Sequence, residues 1–84
     1  MTAREQAVAA EIRRLVREEL RSPISFGDDE ELASRLDSLA LLSLVVAVED
    51  RFRVILDDED ASRTRSLADL ARLVAGRASP GALP

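Results

Sequence analysis

Cysteine, histidine, tryptophan, tyrosine and lysine are all missing from this 84-residue chain. Without cysteine or histidine there are no disulfides, no zinc sites built on thiolate or imidazole, no cysteine nucleophile and no serine triad that relies on a histidine base. The only aromatics are Phe26 and Phe52, so there is no platform for stacking bases, and nucleic acid is excluded as a partner. No segment approaches the roughly 20 apolar residues of a membrane span, since the longest run, Leu39 to Val48, is interrupted by Ser43. The first residues mix Glu5 and Glu11 with Arg4 and Arg13, which is neither a secretory nor a transit peptide, and the expected location is cytoplasmic. A chain of this length makes one small domain with a modest core and no room for a substrate cleft of its own. The expectation is a protein that is not an enzyme, binds no metal and has its chemistry supplied from outside.

What is present is a strongly uneven charge. Residues 1–24 hold five Arg against four Glu, residues 25–62 eleven acids against three Arg, and residues 63–84 four Arg against one Asp, for a net charge of −4. The middle segment therefore carries −8. A cationic face for phosphate backbones is lacking there, and the acidic centre serves either solubility or the steering of basic partner surfaces.

Hydrophobic spacing reads as helices throughout. Thr2 to Arg21 has Val8, Ile12, Leu15, Val16 and Leu20 at helical intervals, and Pro23 argues against helix beyond Arg21. The connection 22–36 is expected to be an ordered surface loop with one short helical turn, anchored by Ile24, Phe26, Leu32 and Leu36. A second helix should run from Ser38 to Phe52. At about 100° per residue, Leu41, Leu44, Val45, Val48 and Phe52 share a core arc, while Leu39, Leu42 and Val46 form a second stripe. That stripe is either buried by a central helix or exposed to partners. A short helix or turn is expected over Asp57 to Ser62, and a last helix capped by Ser66 with Asp69 three residues on, closed at Gly76. This predicts an all-α, small four-helix bundle with a long first loop, a single domain over residues 1–76 and a flexible tail over 77–84.

Asp37-Ser38-Leu39 opens the second helix. Asp37 is a natural N-cap, and the electropositive helix end beside Ser38 would favour an anion attached to its hydroxyl. Capping alone explains the same residues, which leaves an unmodified helical interaction module as one reading.

The segment Asp37-Ser38-Leu39, then Val48-Glu49-Asp50-Arg51-Phe52, Ile55-Leu56-Asp57-Asp58 and Ser66-Leu67, resembles the acyl carrier protein family in order and spacing. The resemblance implies that Ser38 receives a 4′-phosphopantetheine arm from coenzyme A, flanked by Asp37 and Leu39, and that acyl intermediates ride on it as thioesters. It implies as partners a phosphopantetheinyl transferase, an acyl- or aminoacyl-loading ligase, and synthases or transferases with basic docking surfaces. Leu39, Leu42, Val46, Glu49, Asp50, Asp57 and Asp58 would face those partners, and the carrier would act as a monomer away from membranes. Two departures stand out: Ser34-Arg35 replaces an apolar residue and a glycine before the motif, and Leu56 replaces a proline. Ala40 and Ser43 stand where many fatty acid synthesis carriers have acids. The wording is therefore more similar to stand-alone carriers of polyketide or other secondary pathways, with an aminoacyl or peptidyl (D-alanyl-type) carrier as the alternative.

Overall fold

The computed structural model describes residues 1–21 and 27–78. Four helices follow one another, α1 (Ala3–Glu18), α2 (Ser38–Phe52), α3 (Asp58–Arg63) and α4 (Leu67–Arg77), with a single 3₁₀ turn at Leu32–Ser34. The expected all-α bundle and its short helical turn in the first connection are both present. The anticipated anchors Ile24 and Phe26, Pro23, and residues 79–84 of the tail lie outside the described residues.

Each helix begins with a side-chain cap. Thr2 and Glu5 form a reciprocal box in which the Glu5 N–H donates to Thr2 Oγ1 (3.1 Å) and the Thr2 N–H to Glu5 Oε1 (2.9 Å). The expected box at Ser66 and Asp69 is formed, and Asp57 with Asp60 makes a third at α3. Helix α1 stops at Glu18, short of the expected Arg21. The Leu20 N–H folds back onto the Leu15 carbonyl (3.3 Å) and Arg21 takes a left-handed conformation (φ 51°), which returns Leu20 to the core. Helix α2 closes similarly: Arg53 is left-handed (φ 56°), and its N–H and that of Val54 both reach the Glu49 carbonyl.

Helix α4 does not close at Gly76. It continues through Arg77 because that side chain is held from outside the helix: Arg77 Nη2 donates to Asp60 Oδ1 (2.7 Å), Nη1 donates to Oδ2, and Ala78 packs into the core. This bidentate pair ties α3 to the end of α4.

The core is built mainly where α1 meets α4, with Val8, Ile12, Leu15 and Val16 facing Leu67, Leu70, Ala71 and Val74. Helix α2 lies antiparallel to α1, as the Glu11–Arg51 ion pair (3.5 Å) near one end and the meeting of Leu20 with Leu42 near the other require. It inserts Leu44, Val48 and Phe52. Burial at about 25 cal/mol per Å² drives this assembly. Among the described residues no buried side-chain nitrogen or oxygen lacks a hydrogen-bond partner, and no helix is long and apolar enough to cross a membrane.

Asp60 gives the fold a defined acid response. Its carboxyl is lowered to about 2 from an ordinary 3.8, first by the hydrogen bonds from Arg77 and then by the Asp57 N–H. A depressed folded-state value means stabilisation present above the unfolded value and lost as pH falls through the folded one. The Asp60→Asn variant should melt below the wild type at neutral pH, with the gap constant down to about pH 5 and closing between about pH 4 and 2. Thermal melts across that range check it; a gap that persists at pH 2 would contradict the assignment.

Candidate functional site

The first turn of α2 is presented by a loop that is fastened to distant elements. Leu32 donates its N–H to the Arg65 carbonyl (2.8 Å), Ala68 donates to the Asp28 carbonyl (2.9 Å), and Glu31 bridges to Ser66. Arg13 of α1 pairs with the Asp28 carboxylate. Leu32 and Leu36 are buried, so the residues on either side of Leu36 are directed outward. Residues 28–36 therefore hang from α1 and the start of α4, and they hand the chain to Asp37 at a defined point.

Asp37 is the N-cap, its Oδ1 accepting the Ala40 N–H at 2.8 Å. Ser38 is the first helical residue and exposed, and no hydrogen bond involves its hydroxyl among the described residues. The Ser38 and Leu39 N–H groups at this end also have no backbone partner there. The other serines in the described residues differ. Ser34 and Ser62 donate their hydroxyls to the carbonyls of Glu31 (2.6 Å) and Glu59 (2.7 Å), and Ser66 is buried in its capping box. Ser43 lies in the middle of α2, where the backbone N–H groups are committed to the helix.

Below Ser38 the two stripes of α2 separate. Leu44, Val48 and Phe52 are at most 1% exposed, whereas Leu39, Leu42 and Val46 are 74%, 61% and 56% exposed. Leu41 and Val45, expected in the core arc, are only half-buried: Leu41 is one turn from the open helix end and Val45 sits at the arc's edge. Ser38, Leu42 and Val46 recur at four-residue intervals and so share one side of the helix. Leu42 and Val46 line a groove of about 530 Å³ against Leu20 at the end of α1, with Glu19 and Asp50 also in its lining. Ile55, 84% exposed after α2, adds apolar surface that the helical spacing did not single out, because it sits in a connection with no period to reveal it.

The acids divide by role. Asp50 and Asp58 are exposed with no partner among the described side chains. Glu49, expected to face partners, is instead half-buried and accepts the Leu56 N–H through Oε2 (2.8 Å), bracing the turn after α2. Asp57 is exposed but engaged in capping α3 through Asp60 N–H (2.8 Å).

Comparison with known proteins agrees with this geometry. The profile of the family described as "Phosphopantetheine attachment site" matches residues 10–74. An "Acyl carrier protein" of Beutenbergia cavernae is 29% identical over 83 residues, covering 90% of this chain and 96% of its own length. No solved structure matches.

The separation of the stripes has a direct test in stability. Leu42→Ser and Val46→Ser should cost about 0.5 kcal/mol or less, as exposed positions do. Leu44→Ser and Val48→Ser should cost about 2 to 5 kcal/mol through a cavity and a buried hydroxyl. Urea denaturation of the four variants measures this, and a Val46→Ser as unstable as Val48→Ser would put the second stripe in the core.

Proposed function

The chain belongs to the acyl carrier protein family and bears a covalently attached 4′-phosphopantetheine, and from that premise we propose that Ser38 is the attachment point. The observation that carries this reading is the exposed, unbonded Ser38 hydroxyl beside free N–H groups of α2, where a phosphodiester is favoured electrostatically. When bound, the group supplies a terminal thiol that holds acyl cargo as a thioester. Everything else is done by side chains of this protein and of its partners.

Loading requires the Ser38 oxygen to attack the phosphorus of coenzyme A that bears the pantetheine. An O–P bond forms at Ser38, the phosphoanhydride bond breaks, adenosine 3′,5′-bisphosphate leaves, and the hydroxyl proton passes to a base. Asp37 is committed to capping α2, its Oδ1 accepting the Ala40 N–H. The chain contains no histidine. The transferase therefore provides both base and metal, while this protein provides a rigidly placed nucleophile.

Leu39, Leu42 and Val46, with Asp50, Asp58 and the capping Asp57, form the surface we assign to partner enzymes with basic docking sites. Glu49 is left out of that surface because it braces Leu56. Ala40 and Ser43, in place of acids, support service in a polyketide or other specialised lipid pathway in preference to fatty acid synthesis. In this reading the chain works as a single monomeric carrier domain in the cytoplasm.

Incubation with coenzyme A and a broad phosphopantetheinyl transferase should add the mass of one phosphopantetheinyl group to the wild type and nothing to Ser38→Ala. Modification of the Ala variant would refute the site. For docking, exposed charge pairs contribute only about 0 to 1 kcal/mol each, so their effect lies in association rate. Asp50→Lys combined with Asp58→Lys should slow acyl transfer to a cognate enzyme, with the deficit shrinking as salt rises. Transfer rates over a salt series read this, and a rate indifferent to both changes would contradict an electrostatic approach.

A further inference from the structure

Arg35 is the one cation between Arg21 and Arg51, in a stretch that also holds Asp28, Asp29, Glu30, Glu31 and Asp37. Any reaction that brings a diphosphate to Ser38 meets repulsion from this cluster, and Arg35 stands three residues from the serine. Along the chain their Cα atoms are separated by no more than about 11 Å, within the joint reach of an arginine and a phosphorylated serine side chain.

The structure holds this arginine by one edge. Arg35 Nε donates to Glu30 Oε2 (3.0 Å), and the other oxygen of Glu30 accepts the Gly27 N–H (2.8 Å). The Glu30 carboxyl is accordingly lowered below its ordinary range, first by Gly27 and then by Arg35. The terminal nitrogens Nη1 and Nη2 have no partner among the described residues, and the side chain is 45% exposed. Its backbone is also fixed: the Arg35 N–H donates to the Leu32 carbonyl (3.0 Å), and Leu36, the next residue, is buried. A guanidinium with its Nε side occupied and its outer edge open is preset for two parallel bonds to phosphate oxygens. The exposed pair with Glu30 offers little resistance to a small swing toward Ser38.

We propose that Arg35 is a phosphate-binding residue of the loading site. Its outer edge takes the diphosphate of coenzyme A during transfer and then the phosphodiester that remains on Ser38, with Glu30 as the holder of the Nε side. The proposal rests on Ser38 as the attachment point. It differs from a helix-end interaction in that it depends on one exposed side chain whose removal leaves the backbone untouched.

The test uses coenzyme A and a broad phosphopantetheinyl transferase, with intact mass and peptide mapping to locate the arm before anything else is read. In nitrogen-15 NMR spectra the Arg35 Nε–Hε signal should move on conversion of the apo to the loaded protein, and the shift should diminish at high salt. Arg35→Gln should keep its melting temperature and load with a KM for the carrier raised about tenfold at unchanged kcat, as loss of a charge-assisted hydrogen bond implies. Arg35→Lys should recover part of that loss. An Arg35 signal identical in both forms, or Arg35→Gln loading at the wild-type KM, overturns the proposal while leaving Ser38 in place. An arm mapped to another residue overturns both.

Discussion

Helix α1 commits its apolar face to α4, and most of what matters about this protein follows from that contact. Val8, Ile12, Leu15 and Val16 are almost fully buried against Leu67, Leu70, Ala71 and Val74. Among the described residues of this small domain no second layer covers α2 from its other side. Helix α2 can therefore bury only one stripe, and Leu39, Leu42 and Val46 stay in water. For the partner surface we propose, this unburied apolar stripe is the useful product of a limited core.

The same economy of contacts places Ser38. The residues leading to it are fastened by backbone bonds to Arg65 and Ala68 and by an ion pair to Arg13, groups that come from the far ends of the sequence. Among its described residues, Leu32 and Leu36 reach the core. The serine is thus held at a known position by its surroundings while its own hydroxyl is free of them. Both properties suit the role we propose for Ser38, that of a nucleophile handed to an external catalyst.

Acidic residues serve two different ends. Asp37, Asp57, Asp60 and Asp69 satisfy helix N-termini, and Glu49 satisfies the Leu56 N–H in the turn after α2. Such groups stabilise because an unmet backbone donor at a helix end costs more than an exposed charge pair returns. Asp50 and Asp58 have no such duty. The charge that gives the centre of the chain its −8 is therefore only partly available to a partner, and the rest is internal scaffolding.

Hydrophobic spacing and capping residues were sufficient to read the helices, the caps at Asp37 and Ser66 and the limits of α2, and a resemblance carried by four segments between Asp37 and Leu67 pointed to the family. These are local properties: caps, periodicity and motif spacing are decided within a few residues of one another. The side of α2 that would remain exposed, the diversion of Glu49 to Leu56, and the extension of α4 through Gly76 were decided only by tertiary structure. Each depends on a partner distant in the chain or on how much surface α1 and α4 had left to offer. Periodicity defines two stripes on a helix but not which of them has a neighbour, and a carboxylate in the sequence does not reveal the backbone N–H that will reach it. Arg77 shows the same division. Its helix continues because Asp60, 17 residues earlier, is folded against it, and no local signal carries that information.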